Sequence, residues 1–304
     1  NGTVLFSAFD AEHGRELWRS DGTPEGTVLV KDLEPGPGSS SPSEFFVTPS
    51  LVYFTAQTSA TGFEVYRTDG TGSGTFLVKD VQPEAEYSPL LGLLGDLLLF
   101  PADDGVHGLE LWRTDGTADG TFLLGDLAPG AASSNPGAVG VLNGHFYFDA
   151  SDGSTRALWR TDGTTAGTVA VAAGLGSSGP AAELGGALYF SATDSTHGTE
   201  LWRTDGTAAG TGLFRDINPT GDSSVYVAGR LGDRLVFWAD DGTHGFEPWT
   251  ADGTSAGTSI LKDLCPGPAR SGPGALTFLG STLFFFAHDG IHGLEPWKTD
   301  GTTA

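Results

Sequence analysis

Apolar and polar positions in this chain come in short blocks rather than long stripes. A first apolar stretch, such as Glu44 to Thr48, is followed after a brief turn by a second, such as Leu51 to Ala56. A third stretch, such as Glu64 to Thr68, and a fourth, such as Gly74 to Asp80, complete the group before it begins again. Blocks of this length, rich in Val, Leu, Phe and Tyr and bounded by Gly, Asp, Pro and Ser, have the signature of β-strands joined by tight turns. The turn between the first two is short and Gly-rich, as at Leu184-Gly185-Gly186. Little or no helix is expected.

The blocks are copies of one another. The third carries an octapeptide, ELWRSDGT at residue 16 and ELWRTDGT at 110 and 200, with variants at 64, 157, 247 and 295. Its aspartates, Asp21, Asp69, Asp115, Asp162, Asp205, Asp252 and Asp300, recur every 43 to 48 residues. A period in the forties with four strands per repeat is that of a β-propeller blade. The expected fold is therefore all-β: a seven-bladed β-propeller of four-stranded antiparallel blades, forming one domain over residues 1–304. Strand counting leaves the terminal blades incomplete, the first lacking its innermost strand and the last its outermost.

Each repeated residue has a structural task in this reading. Antiparallel pairing of the third and fourth strands places Glu16 opposite Lys31, Glu64 opposite Lys79, Glu200 opposite Arg215 and Glu247 opposite Lys262. Ala157 and Ala172 lose both charges together, and Glu110 meets Gly125. The aromatics Trp18, Tyr66, Trp112, Trp159, Trp202, Trp249 and Trp297 are expected to fill the space between blades. Asp-Gly-Thr reads as turn chemistry, with Asp accepting from its own backbone two residues on.

Composition narrows the function classes. The chain has 47 Gly, 17 Pro and a net charge of -23, from 38 acidic and 15 basic residues. That balance disfavours nucleic acid, whose binding needs clustered Lys and Arg, and disfavours anionic membrane surfaces. No apolar run reaches the length of a membrane span, so no membrane insertion is expected. Cys265 is the only cysteine, which excludes an intrachain disulfide and a Cys-rich metal cluster. The chain begins at Asn1 with no Met in its 304 residues and reads as a mature form or an excerpt.

The candidate chemistry lies in the turn between the second and third strands. It pairs Asp10 with His13, Asp104 with His107, Asp194 with His197, Asp241 with His244 and Asp289 with His292, using five of the seven histidines. The same face should gather the aspartates that open the Asp-Leu-x-Pro-Gly loops, among them Asp32, Asp126, Asp216 and Asp263. One reading has each Asp capping its own hairpin while the His packs under a loop. The other has these groups binding sugar hydroxyls, or Ca²⁺ held at Asp103, Asp104, Asp240 and Asp241. The turns at Thr58 to Gly62 and Asp152 to Arg156 break the pattern, and the irregular fourth repeat is where a unique site would lie. No Gly-x-Ser-x-Gly elbow, phosphate loop or His-Glu-x-x-His stands in the chain.

The octapeptide resembles the signature of the ELWxxDGT repeat proteins, found in myxobacteria and other environmental bacteria as large exported or surface proteins. The resemblance covers nearly the whole chain, with departures at Tyr66, Ala157, Pro248 and Pro296. It implies an extracellular or cell-surface repeat protein and no assigned activity. The function expected from the sequence is a non-enzymatic propeller that binds glycans or surface proteins through its loop faces. The alternatives are a structural module that self-associates through its incomplete terminal blades, with or without Ca²⁺, and an exported hydrolase or lyase.

Overall fold

A computed structural model describes residues 2–81, 89–177 and 179–302. Among them there is no helix, and the strands form seven antiparallel sheets. The chain divides into two compact units. Unit 1 comprises Asn1–Pro136 with Ser151–Ser154 and Gly163–Thr168; unit 2 comprises Gly137–Ala150, Thr155–Asp162 and Val169–Ala304.

The first sheet contains β1 (Val4–Asp10), β2 (Gly14–Ser20) and β3 (Val28–Lys31). The second contains β4 (Ser43–Val47), β5 (Val52–Thr58), β6 (Gly62–Thr68) and β7 (Phe76–Leu77), and the third β8 (Gly92–Leu94), β9 (Leu97–Asp103), β10 (Leu109–Thr114) and β11 (Phe122–Leu123). The fourth is β12 (Gly137–Leu142), β13 (His145–Ser151), β14 (Arg156–Thr161) and β15 (Val169–Ala173). The fifth carries β16 (Gly176–Ser177) and β17 (Ala182–Leu184), both paired to β18 (Ala187–Asp194), then β19 (Gly198–Thr204) and β20 (Gly212–Arg215). The sixth is β21 (Tyr226–Leu231), β22 (Arg234–Asp240), β23 (Phe246–Ala251) and β24 (Ser259–Ile260). The seventh is β25 (Gly274–Leu279), β26 (Thr282–His288) and β27 (Leu294–Thr299). The first and last sheets each have three strands, as strand counting expects. Repeated meanders of this kind make the fold β-propeller-like.

In the second to sixth sheets both faces of the second strand are buried, because alternate side chains point to opposite sides of a strand. In β22, Leu235, Phe237 and Ala239 join a core with Ala187 and Tyr189 of β18, while Val236 and Trp238 join Leu283, Phe285 and Ala287 of β26. Each such side chain contributes about 1.5–3 kcal/mol of hydrophobic stabilisation. The signature aromatic lies opposite the recurring Phe, Phe237 facing Trp249 and Phe6 facing Trp18. The rings of Phe237 and Trp249 stack at 6.3 Å between centroids. As expected, Trp112, Trp202 and Trp249 fill space between sheets: each is buried in a core with residues of the preceding sheet, Tyr53, Tyr147 and Tyr189 respectively.

The glutamate reading is corrected in the first and fifth sheets. A β-bulge in the third-to-fourth strand hairpin sets Leu17, not Glu16, opposite Lys31, and Leu201, not Glu200, opposite Arg215. One extra residue in the fourth strand shifts the register by one and so sends the two charges to different surroundings. The Lys31 ammonium donates instead to the carbonyl of Thr75 at 2.6 Å, and Lys79 to that of Thr121 at 2.8 Å. Glu16 goes inward and is fully buried.

Candidate functional site

The Asp-Gly-Thr turn behaves as its residues dictate. Asp205 Oδ1 accepts the backbone N–H and hydroxyl of Thr207 at 2.9 and 2.7 Å, and the Thr207 hydroxyl oxygen accepts the N–H of Gly210. Gly210 is required because a Cβ there would lie 2.0 Å from the Asp205 carboxylate. The arginines that follow the aromatic tie repeats together: Arg113 donates to the Gly163 carbonyl and Arg160 to the Gly206 carbonyl, both at 2.9 Å.

The five Asp/His turns share one geometry. Asp241 Oδ1 accepts the N–H groups of Thr243 and His244 at 2.9 and 2.8 Å, and its Oδ2 holds His244 Nδ1 at 2.7 Å. The same clamp joins Asp10 to His13 at 2.9 Å, Asp104 to His107 at 2.8 Å, Asp194 to His197 at 2.9 Å and Asp289 to His292 at 2.6 Å. Each pair sits on its own sheet, and no two pairs share a partner among the described residues. Where the sequence departs, Thr58 and Thr61 replace the clamp with a hydroxyl pair at 2.8 Å.

The clamp shifts both partners. The hydrogen bond from Asp10 holds the His13 imidazole above its ordinary pKa of 6.5, and the charge of Asp32 adds to this. His107, His197 and His244 are raised in the same way by their aspartates, with Asp126, Asp216 and Asp263 contributing. The long-loop aspartates therefore do lie within electrostatic reach of the turns. Burial alone would raise Asp104, Asp194 and Asp241, but the bonds from the turn and the imidazole bring them below the ordinary carboxylate value. A raised folded-state His pKa stabilises the fold fully below about pH 6.5 and less as pH climbs through the raised value. The urea midpoint is accordingly expected to fall between about pH 6 and pH 8, and to fall less when all five of these histidines are changed to Gln. A midpoint that rises across this window would contradict the clamp.

Each carboxylate expected to hold Ca²⁺ accepts at least one backbone N–H. Asp103 Oδ1 accepts the N–H of Gly105 and Asp240 Oδ1 that of Gly242, each at 2.8 Å, while Asp104 and Asp241 are spent on their clamps. Among the described residues, no three His, Cys, Asp or Glu side chains gather as metal donors. A chelator is expected to leave Tm unchanged, and a fall of more than about 2 °C would show that a metal supports these turns.

The residues that sequence reasoning misplaced are the buried glutamates. Glu16 accepts the N–H groups of Leu33 and Ser40, and Glu110 those of Leu127, Ala128 and Ser134. Glu200 and Glu247 hold the equivalent loops in unit 2, and burial pushes the carboxyls of Glu110, Glu200 and Glu247 up. The glutamate is thus the anchor of its own repeat's Asp-Leu-x-Pro-Gly loop. The signal was present as a nearly constant separation, 24 residues from Glu16 to Ser40 and from Glu110 to Ser134, and 23 from Glu200 to Ser223. In the irregular fourth repeat, which has Ala157 at this position, Asp149 is the buried carboxylate and pairs with Arg156. Burial raises the Asp149 pKa against the pull of Arg156, and Ser177 also bonds to it. The irregular sector is a local replacement of the anchor.

No protein-family model matches the chain, and no curated protein matches it in sequence. Its fold, however, is similar to that of a prolyl endopeptidase, described in a study of inter-domain dynamics in catalysis and specificity, with a TM-score of 0.54 and 14% identity. That likeness covers 100% of this chain and 46% of the other. A Mycobacterium tuberculosis puromycin-hydrolyzing peptidase is similar with a TM-score of 0.50 and 12% identity, over 94% of this chain and 49% of that one. The chain spans about half the length of these proteins. The expectation of a non-enzymatic propeller for glycan or protein adhesion is thereby corrected: these two solved structures, matched over nearly the whole chain, are peptidases.

Proposed function

We propose that the chain is the propeller portion of an exported, peptidase-related hydrolase, its seven sheets being seven blades, and that it frames access to a hydrolytic centre. The observation that carries this reading is the likeness of the entire chain to about half of a prolyl endopeptidase. The geometry agrees with a framing role. The Asp/His pairs have the base-and-orienter hydrogen bond of a hydrolase, but each Asp is also its own turn's cap, and no Ser or Cys nucleophile bonds to these imidazoles among the described residues. A mixed peptide library incubated with the polypeptide that bears this chain, and read by mass spectrometry, tests the proposal. Cleavage of short peptides with folded proteins spared is the expected result; absence of any cleavage overturns it.

A second reading, self-association, is favoured by the last sheet. Phe284 and Phe286 of β26 are 40% and 41% exposed, whereas the equivalent Val236 and Trp238 of β22 are fully buried against the next sheet. The occupant this face fits is the first sheet of a second copy, whose Val4 is likewise exposed and occupies the position of the buried Leu283. Mass measured over a range of concentrations decides it: association abolished by Phe286→Asp supports the reading, and a strict monomer ends it.

A further inference from the structure

Unit 2 contains a cavity of about 670 Å³, within the size range of small-molecule sites. Its walls come from the chain entering β21 at Ser224 to Tyr226 and the chain entering β25 at Gly272 to Leu276, with Gly179, Phe246 and Arg270 completing it. Ser224 and Ala275 adopt positive φ, 52° and 47°, which turns both entrances out of line with their strands. A break in the β25 ladder between Gly274 and Thr277 leaves Ala275 and Leu276 outside its register. Among the described residues the lining is thus aromatic, aliphatic and backbone, with the Ser224 hydroxyl and one charged group.

That charged group breaks the rule of its repeat. At the equivalent loop position, Ser39, Ser133 and Asp222 each present an oxygen to a backbone N–H at the start of the third strand, on Arg15, Leu109 and Thr199 respectively. In the sixth repeat the position is Arg270, which has no acceptor to offer. Its guanidinium lies instead 5.9 Å from the ring centroid of Phe246, the residue that elsewhere receives the cap. Among the fifteen basic side chains, Lys31, Lys79, Arg19, Arg113, Arg160 and Arg215 are committed to carbonyls. Arg270 makes no hydrogen bond or ion pair with any described residue. The local rule is thus given up where the cavity has, among the described residues, one cation.

We propose that this cavity binds an apolar or aromatic carboxylate, the carboxylate on Arg270 and the apolar group against Phe246 and Tyr226. The C-terminal residue of a short peptide is the member of this class chosen here, and that choice alone rests on the hydrolase reading. A peptide also brings a main chain to meet the backbone at Ala275 and Leu276. Among the described residues no acidic side chain lines the cavity to repel the ligand, although the chain as a whole carries a charge of -23.

Binding of N-acetyl-Leu-Phe, its C-terminal amide and 3-phenylpropionate, measured by calorimetry and by ligand-observed NMR, tests the site. The free acid should bind about tenfold more tightly than the amide, the worth of one charge-assisted hydrogen bond. Arg270→Gln should erase that preference, while Arg230→Gln, at an exposed pair with Glu183, should preserve it. Both positions are exposed, so neither change threatens the fold. Equal binding of acid and amide, an unchanged preference in Arg270→Gln, or no binding of any probe overturns the site. Equal affinity for 3-phenylpropionate and the dipeptide supports the carboxylate site and overturns the peptide assignment. Failure of the peptide-library digestion, by contrast, would remove the hydrolase reading and leave these binding results standing.

Discussion

Glu200→Ala is expected to destabilise the protein by about 4 kcal/mol and to lower Tm by about 8 °C. The Glu200 carboxylate is fully buried and accepts the N–H of Ile217 at 2.7 Å, the N–H of Asn218 at 3.2 Å and the hydroxyl of Ser223 at 2.8 Å. Each bond to a charged acceptor is worth about 1.5–3 kcal/mol, and its loss leaves a buried donor unsatisfied. Alanine also removes the side chain that fills the space. Glu200→Gln should cost less, about 1–2 kcal/mol, because the amide oxygen still accepts while its NH₂ group faces the other donors. Thermal unfolding followed by circular dichroism gives both values. An alanine variant that loses less than 1 kcal/mol would mean that the loop is held by something else.

Gly245→Ala is expected to cost at least about 3 kcal/mol. Gly245 has φ of 71°, and a Cβ there would stand 2.2 Å from the carbonyl oxygen of Ala269 in the long loop of the same repeat. The obstacle is backbone on both sides, so no side-chain rotation relieves it. Gly232→Ala is the control: its φ is 59°, but nothing lies within 4 Å of the added Cβ. Only the left-handed backbone penalty of about 1–2 kcal/mol applies there. Equal losses in the two variants, read from urea midpoints, would show that contact with the long loop contributes nothing.

These two positions mark the line between what was legible and what was not. The strands, their meander order, the short first and last sheets and the Asp-Gly-Thr turns all follow from local rules: alternation, turn residues and a fixed period. The Asp/His turns were equally visible, since an Asp that caps its own backbone involves only three or four consecutive residues. The partner of the signature glutamate was not, because its carboxylate turns to the backbone N–H groups of the long loop, and in the first and fifth sheets a bulge residue also shifts the register. A pattern of opposite charges at matched spacing suggested an ion pair, whereas Lys31 and Lys79 donate to the carbonyls of Thr75 and Thr121. Nor could Arg270 be singled out by type, as ten other basic residues serve the repeat in plain view.

By itself, then, the sequence determined an all-β repeat with seven near-identical units, because periodicity and turn chemistry act between near neighbours in the chain. Tertiary structure alone decided that the glutamate anchors the long loop, that an arginine replaces a cap beside a cavity, and that the fold is one shared with peptidases. Those features depend on atoms brought together from 20 or more residues apart, as Glu200 and Ser223 are, and such contacts are chosen by burial and register rather than by local propensity.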